Sequence, residues 1–228
     1  MTERARNVWQ EVEVVAGYKT YVELIRPWLE GKEVVATGMR QELDRCREVV
    51  GIALEGRHVA LVSSGDAGVY GMAGILIECL EERDALDIPL EIIPGVSAAN
   101  AAASLLGAPL MHDYAVISLS DLLTPWEVIQ KRVKLAAEGD FVLAIYNPKS
   151  KGRQDQIEWV RQAVLAYRSP HTPVGIVREA LRGESQVIIT TLEDFTKSPI
   201  DMLTTVIIGN SQTRLVGPYM VTPRGYIL

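Results

Sequence analysis

The chain has 228 residues, nearly half of them apolar, enough to build a packed core as one large domain or two small ones. Its 23 basic residues stand against 29 acidic ones, a formal charge of −6, which argues against a general nucleic-acid binder with a basic face but leaves room for a local basic pocket. The two cysteines, Cys46 and Cys79, have no metal-type spacing, so reduced thiols in a cytoplasmic protein are expected.

Residues 2–10 read as a helix with Thr2 as N-cap and Glu3 in its first turn. This charged start does not have the pattern of a signal peptide. A strand follows at 12–16, ended by Gly17. Residues 21–29 read as a helix stopping at Gly31, and 33–37 as a short strand. Apolar residues at 43, 46, 49, 50, 53 and 54 have helical spacing over 41–55. The apolar run 58–62 reads as a buried parallel strand, followed by a glycine-rich turn and a helix to about Glu82. Leu90-Glu91-Ile92-Ile93 reads as another strand. Residues 92–112 carry no charge, but Pro94, Gly95, Gly107 and Pro109 interrupt them, so a strand, a turn and an alanine-rich helix over 98–106 are expected rather than a membrane span.

A second block starts with a strand at 114–119. Thr124, Pro125 and Glu127 mark the start of a helix running to Ala137. A strand at 141–146 ends at Asn147-Pro148, a basic loop covers 149–153, and a helix covers 154–167. The run 173–177 is a strand. Short β-branched runs at 185–191, 204–208 and 219–222 have little helix between them, apart from a turn at 192–195, so part of this sheet is expected to be antiparallel. The reading is therefore α/β, with a domain at 1–109 and another at 110–228. A small-molecule site is expected in the cleft between two such halves.

The chemical inventory is short. His58, His112 and His171 are scattered, no serine has a nucleophile-elbow context, no metal-ligand spacing is present, and no Walker lysine follows the glycine turn. What remains is a set of small, polar strand exits at 63–71, 94–98, 146–148 and 190–191. Each alone is an ordinary turn. Together they suit a site that holds a cofactor bringing its own reactivity. Glycines at 65, 68, 71 and 74 let a ligand approach bare backbone at the carboxyl end of a parallel strand.

Gly65-Asp66-Ala67-Gly68-Val69-Tyr70-Gly71, Pro94-Gly95-Val96-Ser97-Ala98, Tyr146-Asn147-Pro148 and Thr205-Val206-Ile207-Ile208-Gly209-Asn210 together resemble the motif series of the tetrapyrrole methylases. Gly17-Tyr18-Lys19-Thr20-Tyr21 and Ile117-Ser118-Leu119-Ser120-Asp121-Leu122-Leu123-Thr124-Pro125-Trp126 resemble one branch, the precorrin-3B and cobalt-factor III C17-methyltransferases. The resemblance covers essentially the whole chain. It implies two α/β domains, a homodimer, S-adenosylmethionine as cofactor, and methylation at C17 of a tetrapyrrole with ring contraction, in cobalamin biosynthesis. From the acidic charge and the interrupted run at 92–112, no nucleic-acid or membrane partner is expected.

The family ordinarily begins with a strand and a Gly-x-Gly-Pro-Gly turn. This chain opens within the helix that follows, so a first sheet lacking that strand is expected. Cofactor-binding positions carry over onto Ser64, Gly65, Asp66, Val69, Tyr70, Ser97, Ala98 and Asn147, and more loosely onto Thr190 and Thr205. Contraction of the ring requires management of protons, for which the polar groups Tyr18, Lys19, Ser118, Ser120 and Asp121 are candidates, with Asp121, Ser118 and Lys19 foremost. Asp121 reads equally well as a cap for the helix that Thr124 opens. Lys19, Arg40, Lys149, Lys151 and Arg153 are candidates to bind substrate carboxylates, or are simply solvated. Two other classes stay open: a methylase of the same fold acting on RNA or another tetrapyrrole, and an inactive cofactor-binding homologue.

Overall fold

The computed structural model describes residues 1–38 and 41–226. Its chain gathers into two compact units, Met1–Ser97 and Ala98–Leu228.

The first unit opens with α1 (Glu3–Glu11), where the Thr2 hydroxyl accepts from the Ala5 amide at 3.3 Å, the expected N-cap. Then come β1 (Val14–Tyr18), α2 (Lys19–Leu24), a 3-10 turn at Arg26–Trp28, β2 (Glu33–Thr37), α3 (Glu42–Leu54), β3 (Val59–Val62) and α4 (Ala73–Glu82). The strands form a parallel sheet in the order β2-β1-β3. The central strand is buried on both faces, and its alternation sorts the core. Val15 packs with Trp9, Val22, Ile25 and Leu29, while Ala16 packs with Cys46, Val50, Leu76 and Cys79. Both thiols are free, and burial pushes Cys46 up to about 12 and also raises Cys79.

Three features of this unit differ from expectation. The strand at 12–16 lies at 14–18, and Gly17 continues the ladder instead of ending it. A Cβ at Gly17 would meet Val22 Cγ2 at 3.0 Å, so the bare residue lets α2 lie close on the strand. The helix at 21–29 starts earlier and stops at Leu24, because Pro27 cannot donate to a continuing α-helix and the chain tightens into a 3-10 turn. Residues 90–93 form no strand, because they have no ladder partner among the described residues. They are tied to α1 instead: Arg4 donates to both oxygens of Glu91, at 2.7 and 2.5 Å, and the Thr2 hydroxyl donates to the Pro94 carbonyl at 3.3 Å.

The second unit comprises α5 (Ala98–Leu106), β4 (Gly107–Ala108), β5 (Tyr114–Ser118), α6 (Trp126–Glu138), β6 (Val142–Tyr146), α7 (Gln156–Leu165), β7 (Pro173–Arg178), β8 (Gln186–Thr191), β9 (Thr204–Ile208), β10 (Arg214–Val216) and β11 (Tyr219–Val221). Its main sheet runs β5-β6-β9-β7-β8. β5 and β6 are parallel, whereas β9 is antiparallel to β6 and β7, and β8 to β7, which makes the sheet mixed as expected. The strand expected at 219–222 is β11, but it joins a separate small sheet, β10-β11-β4, instead of the main one.

Alternation again sorts the faces. Leu143, Ile145, Val206 and Ile208 join the cluster that holds Ile129, Val133, Ile157 and Val160 of α6 and α7. Val142, Val177 and Ile207 join Ala102, Ala103 and Leu106 of α5. Helix α5 packs on β7, β8 and β9, so the division between units falls at 97/98, ahead of the expected 109/110. Its alanines and the bare Gly175 permit this approach: a Cβ at Gly175 would come within 2.3 Å of Leu106 Cδ1. Gly175→Ala is therefore expected to overpack this contact and lower stability by about 1–3 kcal/mol. Urea unfolding checks it, and an unchanged midpoint would contradict the contact.

Candidate functional site

In the first unit, β3 runs into the turn 63–72 at its carboxyl end. Gly65 (φ 73°) and Tyr70 (φ 53°) both take left-handed backbone conformations. The turn is closed by side-chain oxygens. Asp66 Oδ1 accepts from the Gly68 amide at 2.8 Å, and Ser63 Oγ accepts from the Met72 amide at 3.0 Å at the entry to α4. Asp66 Oδ2 accepts from the Gly95 amide, also at 2.8 Å, so one carboxylate joins the corner after β3 to the Pro94-Gly95 corner.

The two corners touch backbone to backbone. A Cβ at Gly95 would lie 1.9 Å from the Gly65 carbonyl oxygen, and one at Gly71 would lie 2.4 Å from that of Ala67. Hydrogen bonds from Gly95 and then Gly68 hold the Asp66 carboxyl below the usual carboxylate range, against the opposing effect of desolvation.

The outer side of this turn is open. Gly65, Gly68, Val69 and Tyr70 are exposed, while Ser64, Asp66 and Ser97 are half-buried. Unhindered backbone beside the exposed Val69 and the Tyr70 ring fits a cofactor held by main-chain groups and by an apolar contact. Asp66 fits as the brace of that surface, because both of its oxygens are already engaged. β1 and β3 are parallel, with Gly17 opposite Val62, so Lys19 at the start of α2 stands at the same end of the sheet as the glycine turn, with its side chain exposed.

In the second unit, the carboxyl ends of β5 and β6 are register partners, Ser118 opposite Tyr146. Asn147 follows in the left-handed region (φ 49°), and its Nδ2 donates to Ser118 Oγ at 2.9 Å. The same hydroxyl oxygen accepts from the Ser120 amide at 3.2 Å. Asp121 is exposed and is reached by Arg153 Nη1 at 3.6 Å and by Gln156 Nε2 at 3.4 Å. It does not cap α6: Pro125 occupies that N-cap, with no side-chain hydrogen bond. Ala98 opens α5, whose Ala99 amide donates to the Tyr146 hydroxyl at 2.7 Å.

The structure thus brings Ser118, Ser120, Asp121 and Asn147 together. Thr205, at the start of β9, is at the same end of the sheet, since Val206 pairs with Ile145. Thr190 is not. β8 runs antiparallel to β7 and pairs Thr190 with Val174, so its exit is at the opposite end. The basic loop is not a uniform solvated face either. Lys151 is exposed and Lys149 half-buried, but Arg153 is buried, directed onto the protein's own groups. Arg40 is outside the described residues.

Sequence reasoning missed the Gly95 amide, the Tyr146 hydroxyl and the inward Arg153, because each acts on a partner across a fold contact and has no local signature. A surface hollow lined by His112, Asp140, Phe141 and Arg224 is at the end of the sheet where β5 and β6 begin, and it contains none of the predicted residues.

A family model described as Tetrapyrrole (Corrin/Porphyrin) Methylases matches residues 1–196. The chain is 52% identical, over 229 residues, to the cobalt-factor III methyltransferase of Priestia megaterium, spanning 99% of this chain but only 42% of that protein. It is 48% identical to a probable cobalt-factor III C(17)-methyltransferase of Salmonella typhimurium, over all of this chain and 94% of that one. Among solved structures, the methyltransferase CobJ superposes with a TM-score of 0.91 at 39% identity, covering 98% of this chain and 93% of that one.

The Asp66 brace has a pH signature. A carboxyl whose folded pKa is depressed contributes stability above its unfolded pKa of about 3.9, and that contribution is lost as the pH falls through the folded value. In Asp66→Asn one of the two accepting oxygens becomes an NH2, which faces a backbone donor it cannot accept from. The variant is expected to unfold at lower urea than the wild type at neutral pH, with the gap closing in acid below about pH 4. A gap that stays constant into acid would show that the carboxylate charge is not what holds the corner.

Proposed function

We propose that this chain, which belongs to the tetrapyrrole (corrin/porphyrin) methylases, transfers a methyl group from S-adenosylmethionine to C17 of a tetrapyrrole, cobalt-factor III or precorrin-3B, with contraction of the ring. The observation that carries this reading is the near-full-length likeness to the Salmonella typhimurium relative, whose name is that of a probable cobalt-factor III C(17)-methyltransferase. The bare-backbone corner braced by Asp66 supports it as a place for the cofactor. When bound, S-adenosylmethionine supplies a methyl group already activated on a sulfonium. What is left for the protein is alignment, which can account for about 7–11 kcal/mol of a barrier.

In this reading the main chain at Gly65 and Gly68, the side chains of Val69 and Tyr70, and Ser64, Ser97 and Ala98 bind and orient the donor. Asn147 and Thr205 take the corresponding part in the second unit. Asp121 holds or accepts a proton at a carboxylate oxygen during contraction, Ser118 orients the Asn147 amide, and Lys19 supplies positive charge for an acceptor rich in carboxylates. A homodimer in the cytoplasm is the expected setting. Among the described residues, no helix is long and apolar enough to cross a membrane.

The direct test is incubation with S-adenosylmethionine and each macrocycle in turn, followed by mass spectrometry. A gain of one methyl group on either is expected, and a protein that binds S-adenosylhomocysteine yet alters neither would have another acceptor. Asp121→Asn is expected to lower turnover by about 10²-fold or more, the range for a positioned proton-transfer group, while S-adenosylhomocysteine affinity stays within threefold. Full turnover in that variant would remove Asp121 from the mechanism.

A further inference from the structure

Arg153 is a buried cation beside the strand exits of the second unit. It belongs to a loop that reads as solvated, yet only 8% of its surface is exposed. A tight turn carries it inward: the Ser150 amide donates to the Arg153 carbonyl at 2.9 Å, and the Arg153 amide donates back to the Ser150 carbonyl at 3.2 Å. From there Nη2 donates to the Asn147 carbonyl at 2.8 Å, and Nη1 faces the Asp121 carboxylate at 3.6 Å. Nε is buried without a hydrogen-bond partner among the described residues.

A buried guanidinium with one orphaned donor and an ion pair beyond hydrogen-bond length is weak evidence of a gain in stability. What sets Arg153 apart is where its two partners lie. Asn147 ends β6 in a left-handed conformation, and Asp121 belongs to the loop that leaves β5. Like the Asn147–Ser118 hydrogen bond, Arg153 spans these two exits, touching the main chain of one and the carboxylate of the other.

We infer that Arg153 is a positioning residue. It couples the Asn147 corner to the Asp121 carboxylate, so that the donor-side and acceptor-side groups of the second unit keep one geometry, and it does not bind a substrate carboxylate. The inference rests on the role given above to Asp121 and deepens it. Lysine can reach one of the two partners with a single ammonium but cannot reproduce the planar fork that reaches both.

Two measurements on the full chain test this. The first is steady-state methyl transfer by the wild type, Arg153→Gln, Arg153→Lys, Asp121→Asn and the Arg153→Gln/Asp121→Asn double variant. Loss of a group that holds a reacting group in place is expected to lower kcat by about 10- to 100-fold, the scale seen for the supports of metal ligands. KM for the macrocycle should stay within threefold, Arg153→Lys should recover part of the rate, and the double variant should be no slower than Asp121→Asn. A rise confined to macrocycle KM, or effects of the two single variants that multiply, would overturn the assignment.

The second is amide hydrogen exchange, which needs no turnover. Arg153→Gln is expected to speed exchange by about tenfold in both segments, 118–121 and 147–153, with partial restoration by lysine. Acceleration confined to 147–153 would overturn the coupling even in an active enzyme. A wild type that leaves both macrocycles unmethylated but shows the two-segment response would count against the reaction proposed and not against Arg153.

Discussion

The first unit depends on one carboxylate. Asp66 accepts from the amides of Gly68 and Gly95 with different oxygens, and so holds two turns together where their backbones leave no room for a side chain. That brace gives the Gly65 carbonyl and the Gly95 backbone a polar reason to stay in contact. The glycines therefore do two jobs. Gly95 permits the contact, while Gly65 and Gly68 leave the outer surface of the turn bare for a ligand.

The second unit reaches a similar end by other means. Two parallel strands, β5 and β6, finish side by side, and the chain leaving each is held by side chains. Ser118 Oγ gathers the Asn147 amide group and the Ser120 amide, and Arg153 links the Asn147 carbonyl to Asp121. Where the sheet becomes antiparallel, strand exits no longer share an end. This separates Thr190 from the group and leaves Thr205, at an entry, beside it.

These contrasts explain what could be read from the sequence. The strand, glycine turn and helix at 58–82 were legible because period and punctuation are local. So was the mixed sheet, from β-branched runs with little helix between them. Residues 90–93 have strand composition, but a strand also needs a neighbour to pair with. Helix α5 was legible as a helix, but not the unit it packs on, which depends on Gly175 meeting Leu106. Arg153 looked like any basic loop residue, because its burial follows from a tight turn at Ser150 and a partner 32 positions away in Asp121. Asp121 was open to two readings until Pro125 was found in the cap position.

The central claim is that contact between the Gly65 and Gly95 backbones, braced by Asp66, shapes the surface proposed above for the methyl donor. The most direct measurement is titration calorimetry of S-adenosylhomocysteine into the wild type and Gly95→Ala, with the fold of each verified by circular dichroism. The account predicts binding by the wild type and at least a tenfold loss of affinity in the folded variant, about 1.4 kcal/mol. Equal affinity in the two proteins would contradict it.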